Sequence, residues 1–229
     1  MKLIDKGELA REKGQNEKAL SVLDKAVFVA SQKKNYPSLL QALAHKLLVW
    51  KHLYLKTKDP AFLELMKSDA EAGLAIAKEK KVSKEFQAVF LLRIGHYYQY
   101  VSKYKEAVKF TKQAVNLIDE KKSGKYAEYL GHNGLSLTLS GQKQGLAILR
   151  KSLEIIKKAK NLRPFHKLVI HTGILMRLAI SLNKFNKKSE AKDMLASAEK
   201  LAMILAKKYK MPFRLFQLNE IKKNKLIVF

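Results

Sequence analysis

The chain has 229 residues, with 46 Lys+Arg against 20 Asp+Glu, no cysteine, four prolines and one tryptophan. Its hydrophobic fraction of 47% is that of a globular protein and rules out a charged, disordered tail. The missing cysteines exclude a disulfide scaffold and any thiolate metal site. The opening MKLIDKGELAREKG has no apolar signal-peptide core, so the expectation is a cytoplasmic protein with no membrane partner.

Apolar residues recur at helical spacing along the whole chain, and no strand pattern interrupts them. Gly14 falls at the first turn, and Asn35-Tyr36-Pro37-Ser38 runs from a connector into a helix. Asp59-Pro60 reads as an N-cap followed by a first-turn proline, which lacks only an N–H that would be unpaired there. Gly124 and Gly141 read as helix ends or turns, and Pro164 and Pro212 as helix starts or connections. The prediction is an all-α single domain over 1–229, about ten helices in antiparallel pairs. The units fall at about 1–34, 37–81, 85–121, 125–160 and 165–209, with a capping segment over 210–229.

Self-comparison supports this division. Gly7, Ala10, Ala19, Leu23 and Ala26 stand at relative offsets 0, 3, 12, 16 and 19. Gly95, Tyr98, Ala107, Thr111 and Ala114 repeat those offsets, as do Ala179, Leu182, Ala191, Leu195 and Ala198. A weaker copy is Gly134, Leu137, Leu146, Arg150 and Leu153. A small residue at offset 0 lets the first helix of a pair approach the second, and alanines at offsets 12 and 19 clear one face of the second helix. Gly145 and the run Gly131-His132-Asn133-Gly134 point the same way, to close helix packing.

The segments IDKGELAREKGQNEKALSVLDKAV, LRIGHYYQYVSKYKEAVKFTKQAV and LAISLNKFNKKSEAKDMLASAE resemble the tetratricopeptide repeat, with its small–large–small signature. Gly7 and Gly95 are 88 residues apart, so two units of about 44 fill that span; this is similar to the long-unit type found in bacterial regulatory proteins. The resemblance implies a right-handed superhelical solenoid of about five antiparallel helix pairs, binding a protein or peptide in its concave groove. First helices line that groove, which nominates Arg93, His96, Gln99 and Tyr100, then His132, and then Arg177 and Asn183. Arg93 and Arg177 stand at the same offset, two before the small residue, as expected of an acidic peptide's carboxylate contacts.

Nothing assembles into a catalytic set, so the expectation is a non-enzymatic chain without cofactor or metal. His45 and His52 are seven apart and His166 and His171 five apart, short of the three or four ligands zinc needs. The tyrosines Tyr97, Tyr98, Tyr100 and Tyr104 read as packing before base stacking, with Tyr100 alone directed to the groove.

The net charge of +26 comes from 40 Lys and only 6 Arg. Residues 1–120 hold 22 basic and 14 acidic residues, whereas residues 121–229 hold 24 and 6. A stripe of Lys143, Arg150, Lys151, Lys157, Lys158 and Lys160 carries the alternative reading, nucleic-acid binding by the basic half. A sensor or oligomerisation module of a larger regulator is the other alternative. The apolar end, Met211 to Leu218 and then Leu226-Ile227-Val228-Phe229, either folds back, pairs two copies as a homodimer or continues into a partner.

Overall fold

Apolar stripes broken by capping side chains, prolines and left-handed turns give eleven helices and no strand among the described residues, 2–160 and 162–223 of the computed structural model. They are α1 (Lys2–Glu12), α2 (Asn16–Gln32), α3 (Tyr36–Thr57), α4 (Ala61–Glu79), α5 (Lys84–Tyr100), α6 (Tyr104–Asn116), α7 (Gly124–Leu139), α8 (Gln144–Lys158), α9 (Pro164–Lys184), α10 (Lys188–Tyr209) and α11 (Phe213–Lys223). Within each compact unit, short connections make successive packed helices run antiparallel.

The helix starts are chemical. Asn35 Oδ1 accepts the Ser38 N–H at 3.1 Å, with Pro37 in the first turn of α3. Asp59 Oδ1 accepts the Ala61 N–H at 2.9 Å where α4 begins. Ser123 Oγ accepts from Tyr126 N–H at 3.0 Å, which makes Gly124 the first residue of α7 rather than an end or turn. A Cβ at Gly124 would lie 2.2 Å from Leu162 Cδ1, so any larger residue there displaces the leucine side chain.

Helix ends rely on the left-handed region. Gly14, Ser102, Gly141 and Asn186 have φ of 77°, 58°, 89° and 59°, each seven residues after a repeat's first small residue. Lys34, Lys58, Lys81 and Lys210 do the same work at φ of 50°, 61°, 48° and 56°. A side chain there costs about 1–2 kcal/mol, and glycine, with no Cβ, avoids that cost. Lys210→Gly and Lys34→Gly will therefore each stabilise the fold by about 0.5–1 kcal/mol, part of the gain being lost to the freer unfolded chain. A thermal melt of each variant checks this; an unchanged or lower Tm would show that the lysine gains more at the helix C-terminus than it loses in backbone strain.

Contacts divide the chain into two compact units, Met1–Val101 and Ser102–Phe229. In the first, α1 packs on α2, α2 on α3, α3 on α4 and α4 on α5, while α1, α3 and α5 also touch in turn. Gly7 lies against Leu23, where a Cβ would fall 2.6 Å from Cγ, so the small residue at offset 0 does bring the first two helices together. Ala10, Ala19, Leu23 and Val49 form one buried cluster, and Ile4, Ala26 and Ala42 another. Trp50 Nε1 donates to Asp69 Oδ2 at 2.8 Å, tying α3 to α4.

In the second unit α6 packs on α7, and α7 on α8 and α9. Helix α9 in turn meets α8, α10 and α11. The core joins Leu135, Leu175, Met176, Ala179 and Ile180 to Leu195, Ala198, Ala202, Leu218 and Ile221. Leu218 and Ile221 belong to α11, so the apolar segment that starts at Met211 folds back onto α9 and α10. Residues 226–229 lie outside the described residues. Helix α9 is long and apolar enough to cross a membrane by length and composition, and its apolar side chains Ile174, Leu178 and Leu182 are buried against its neighbours.

The weak repeat departs from its expected register. Leu146 and Leu153 are half-buried and Arg150 is exposed, whereas Gly145, Leu149 and Ser152 are buried. The second helix of this pair is thus one residue early relative to the others. The cause is the contact itself: Gly134 and Gly145 bring the backbones of α7 and α8 so close that a Cβ on Gly145 would lie 2.4 Å from the Gly134 carbonyl oxygen.

Candidate functional site

The nominated groove residues sit on α5, α7 and α9, and most of them are buried. In the first unit, Arg93, His96, Gln99 and Tyr100 are all below a tenth exposed. Arg93 Nη1 and His96 Nδ1 are 3.2 Å apart, one turn along the same helix. Tyr100 packs on Tyr54 with ring centroids 5.1 Å apart and is buried, so its ring serves the interior. Tyr97 donates its hydroxyl to Glu64 Oε1 at 2.7 Å, and that hydrogen bond, with burial behind it, pushes the phenol up to about 12. Tyr97 also meets Tyr98 edge-on at 5.3 Å.

In the second unit, Arg177 Nη1 lies 3.1 Å from His132 Nε2, linking α9 to α7. Two glycines make room for the guanidinium. A Cβ on Gly173 would stand 3.3 Å from both Nη atoms, and one on Gly131 would stand 3.4 Å from Nε. Guanidinium is a donor only, so His132 accepts at Nε2 and carries its proton on Nδ1. The same logic makes Nδ1 of His96 an acceptor. Asn183, near the end of α9, is half-buried.

Polar contacts extend this interior. Thr111 Oγ1 reaches Asn133 Oδ1 at 3.1 Å and Ser136 Oγ at 3.3 Å, and Thr138 Oγ1 meets Ser181 Oγ at 2.7 Å. Hydroxyls and an amide thus fix the registers of α6, α7 and α9, each satisfied by another buried group. Arg11, in the first unit, makes a third contact of the same kind, part-buried, with Nη1 2.9 Å from His45 Nδ1. The sequence matches Arg93 with Arg177 by offset and nominates His96 and His132 without pairing them to the arginines. His96 stands three residues from Arg93 on one helix, whereas His132 meets Arg177 from another helix, which leaves no spacing signal.

The basic stripe lies on α8 and its flanks. Lys143, Arg150, Lys151, Lys157, Lys158 and Lys160 are all exposed. Arg150 is engaged: Nη2 donates to Glu190 Oε2 at 2.5 Å, and Lys187 donates to the other carboxylate oxygen at 3.1 Å. These hydrogen bonds, that from Lys187 first, hold the Glu190 carboxyl below its usual range. Lys167 donates to the carbonyls of Lys157 and Ala159 at 3.0 and 2.7 Å and so closes the C-terminal end of α8.

His171, half-buried on α9, is held below its ordinary value by burial first and then by Lys157 and Lys167. The unfolded chain takes up that proton below about pH 6.5, before the folded one does, so the fold loses stability as pH falls through this range. Between pH 7.5 and 5.5 the wild-type Tm will drop more than that of His171→Gln. Equal drops would show that the imidazole does not report burial and lysine charge.

No protein-family profile matches the chain, and no curated protein matches it in sequence. Solved structures do. A Podosopora anserina kinesin light chain protein of nearly identical TPR-like repeats matches with a TM-score of 0.57 and 15% identity, over 90% of this chain and 95% of that one. A single-substitution variant of that protein matches with a TM-score of 0.58 and 16% identity, over 91% and 95%. BtubC (BKLC) from P. vanneervenii matches at 0.60 and 14%, over 88% of this chain and 78% of that one. At these identities the likeness is one of fold, and the fold is tetratricopeptide-like.

Proposed function

We propose, from the premise of a tetratricopeptide-like helical repeat, that this chain is a non-enzymatic scaffold that binds an acidic peptide or protein segment along its first helices. Folds of this kind generally serve protein interaction, and the preformed helix pairs spare the cost of ordering on binding. The observation that carries the reading is a repeated one. Arg93 and Arg177, at the same repeat offset, each hold Nη1 against a histidine, at 3.2 and 3.1 Å. Guanidinium is the side-chain group that meets a carboxylate in a fork geometry, which lysine lacks.

The test is affinity capture from nuclease-treated host lysate with the wild type and with Arg93→Gln/Arg177→Gln, each checked for native helicity. Loss of the captured protein from the folded variant supports the reading. Undiminished capture rules out these arginines as the anchors.

A further inference from the structure

Between Glu154 and Glu190 the chain contains no acidic residue, yet it contains nine Lys+Arg and two histidines. Folding gathers part of that run where α8 ends and α9 begins. Lys157, Lys158, Lys160 and Arg163 are exposed there. Exposed Lys207, Lys208 and Lys210 belong to the end of α10, and Phe165 near the start of α9 reaches Tyr209 beside them.

Aromatic rings are set among these cations. Phe165 meets His166 at a centroid distance of 4.1 Å and Tyr209 at 6.1 Å. The Arg163 guanidinium stands 4.9 Å from the Phe165 centroid, and Lys208 Nζ stands 5.6 Å from that of Tyr209. All three rings are half-buried, so each keeps an accessible part. The lysine charge is felt inside the protein, for Lys157 and Lys167 both act against a proton on His171.

The outer face of α6 is a contrast. Exposed Lys105, Lys109 and Lys112 alternate there with Glu106, and the cation over the half-buried Tyr104 ring is Lys184 of α9, 5.7 Å from the centroid, and none of these three lysines.

We propose that the α8–α9 corner, with the end of α10, binds single-stranded nucleic acid: the lysines neutralise successive phosphates, and unstacked bases lie on Phe165 and Tyr209. An acidic peptide would satisfy the lysines and leave the rings unused. A duplex would offer phosphates but no free base faces. Cations interleaved with ring faces suit a flexible strand that presents both. This inference is independent of the peptide-binding reading and uses other residues.

Fluorescence anisotropy of the full chain tests it. The probes are labelled RNA and DNA single strands of about 12 nucleotides, the matching duplex, and poly-glutamate as competitor. At about 50 mM salt both single strands bind, and binding weakens steeply toward about 200 mM as counterions are released. The exposed pair Lys158→Gln/Lys160→Gln lowers affinity about tenfold, and Phe165→Leu, which keeps an apolar side chain in place, does so by a similar factor. The control pair Lys109→Gln/Lys112→Gln on α6 changes it less than about twofold. Binding to only one of RNA and DNA keeps the site and narrows the ligand. No binding at low salt overturns the proposal. So does equal affinity for duplex, equal loss from the two lysine pairs, or displacement of the strand by an equal charge of poly-glutamate.

Discussion

Phe90→Ala will cost the first unit about 4 kcal/mol, the upper part of the range for removing a buried ring. Phe90 has no exposed surface, and its ring fills the space left by Gly73 on the facing helix α4. The converse substitution attacks the same contact. A Cβ on Gly73 would lie 2.3 Å from Phe90 Cε1, and a ring enclosed on all sides has no free path to move away. Gly73→Ala alone should destabilise by about 2 kcal/mol despite the better helix propensity of alanine. Combined with Phe90→Leu it should cost clearly less than the sum, with a coupling of about 1 kcal/mol or more. Urea denaturation of the four-member cycle measures this. Additive effects would mean that the two residues are not in forced contact.

Gly145→Ala will destabilise the second unit by about 2–3 kcal/mol. The added methyl would meet the Gly134 carbonyl oxygen at 2.4 Å and the Thr138 backbone nitrogen at 2.8 Å. Side chains can rotate away from an intruder, whereas a backbone can yield only by separating α7 from α8. Separation would also loosen Leu149, which is fully buried between them. Gly141→Ala, a substitution with nothing within 4 Å of the new Cβ, makes the comparison: its cost is that of its φ of 89° alone. If Gly145→Ala melts with the wild type, the close approach of α7 and α8 is wrong.

The helices, their prolines and the small-residue contacts could be read from the sequence because each is local or strictly spaced. Gly7 and Ala179 announce themselves by shared offsets, and Asn35 and Asp59 by the residues that follow them. The fourth pair departs from the expected offsets because register there is set by a glycine-to-glycine approach across two helices, which shifts the buried set to Gly145, Leu149 and Ser152. The binding residues were less readable. Offsets say which helix face a residue occupies, and they do not say how far the next helix covers it. Arg93, His96, Gln99, Tyr100, His132 and Arg177 are on first helices as expected and are mostly covered. The His132 partner of Arg177 and the packing of Phe165 on Tyr209 depend on contacts between helices that no periodicity encodes.

The four lysines in left-handed turns bear on how charge can be manipulated in this molecule. Lowering the charge of a basic protein normally puts its stability at risk, because surface lysines also cover apolar area with their stems. At Lys34, Lys58, Lys81 and Lys210 the two quantities separate, since glycine removes a cation and relieves the backbone together. A chain carrying glycine at Lys34, Lys58 and Lys81 would be less basic and more heat-resistant, with the α8–α9 corner left as it is. Its affinity for a polyanion would then report the local arrangement of charge, separated from the total.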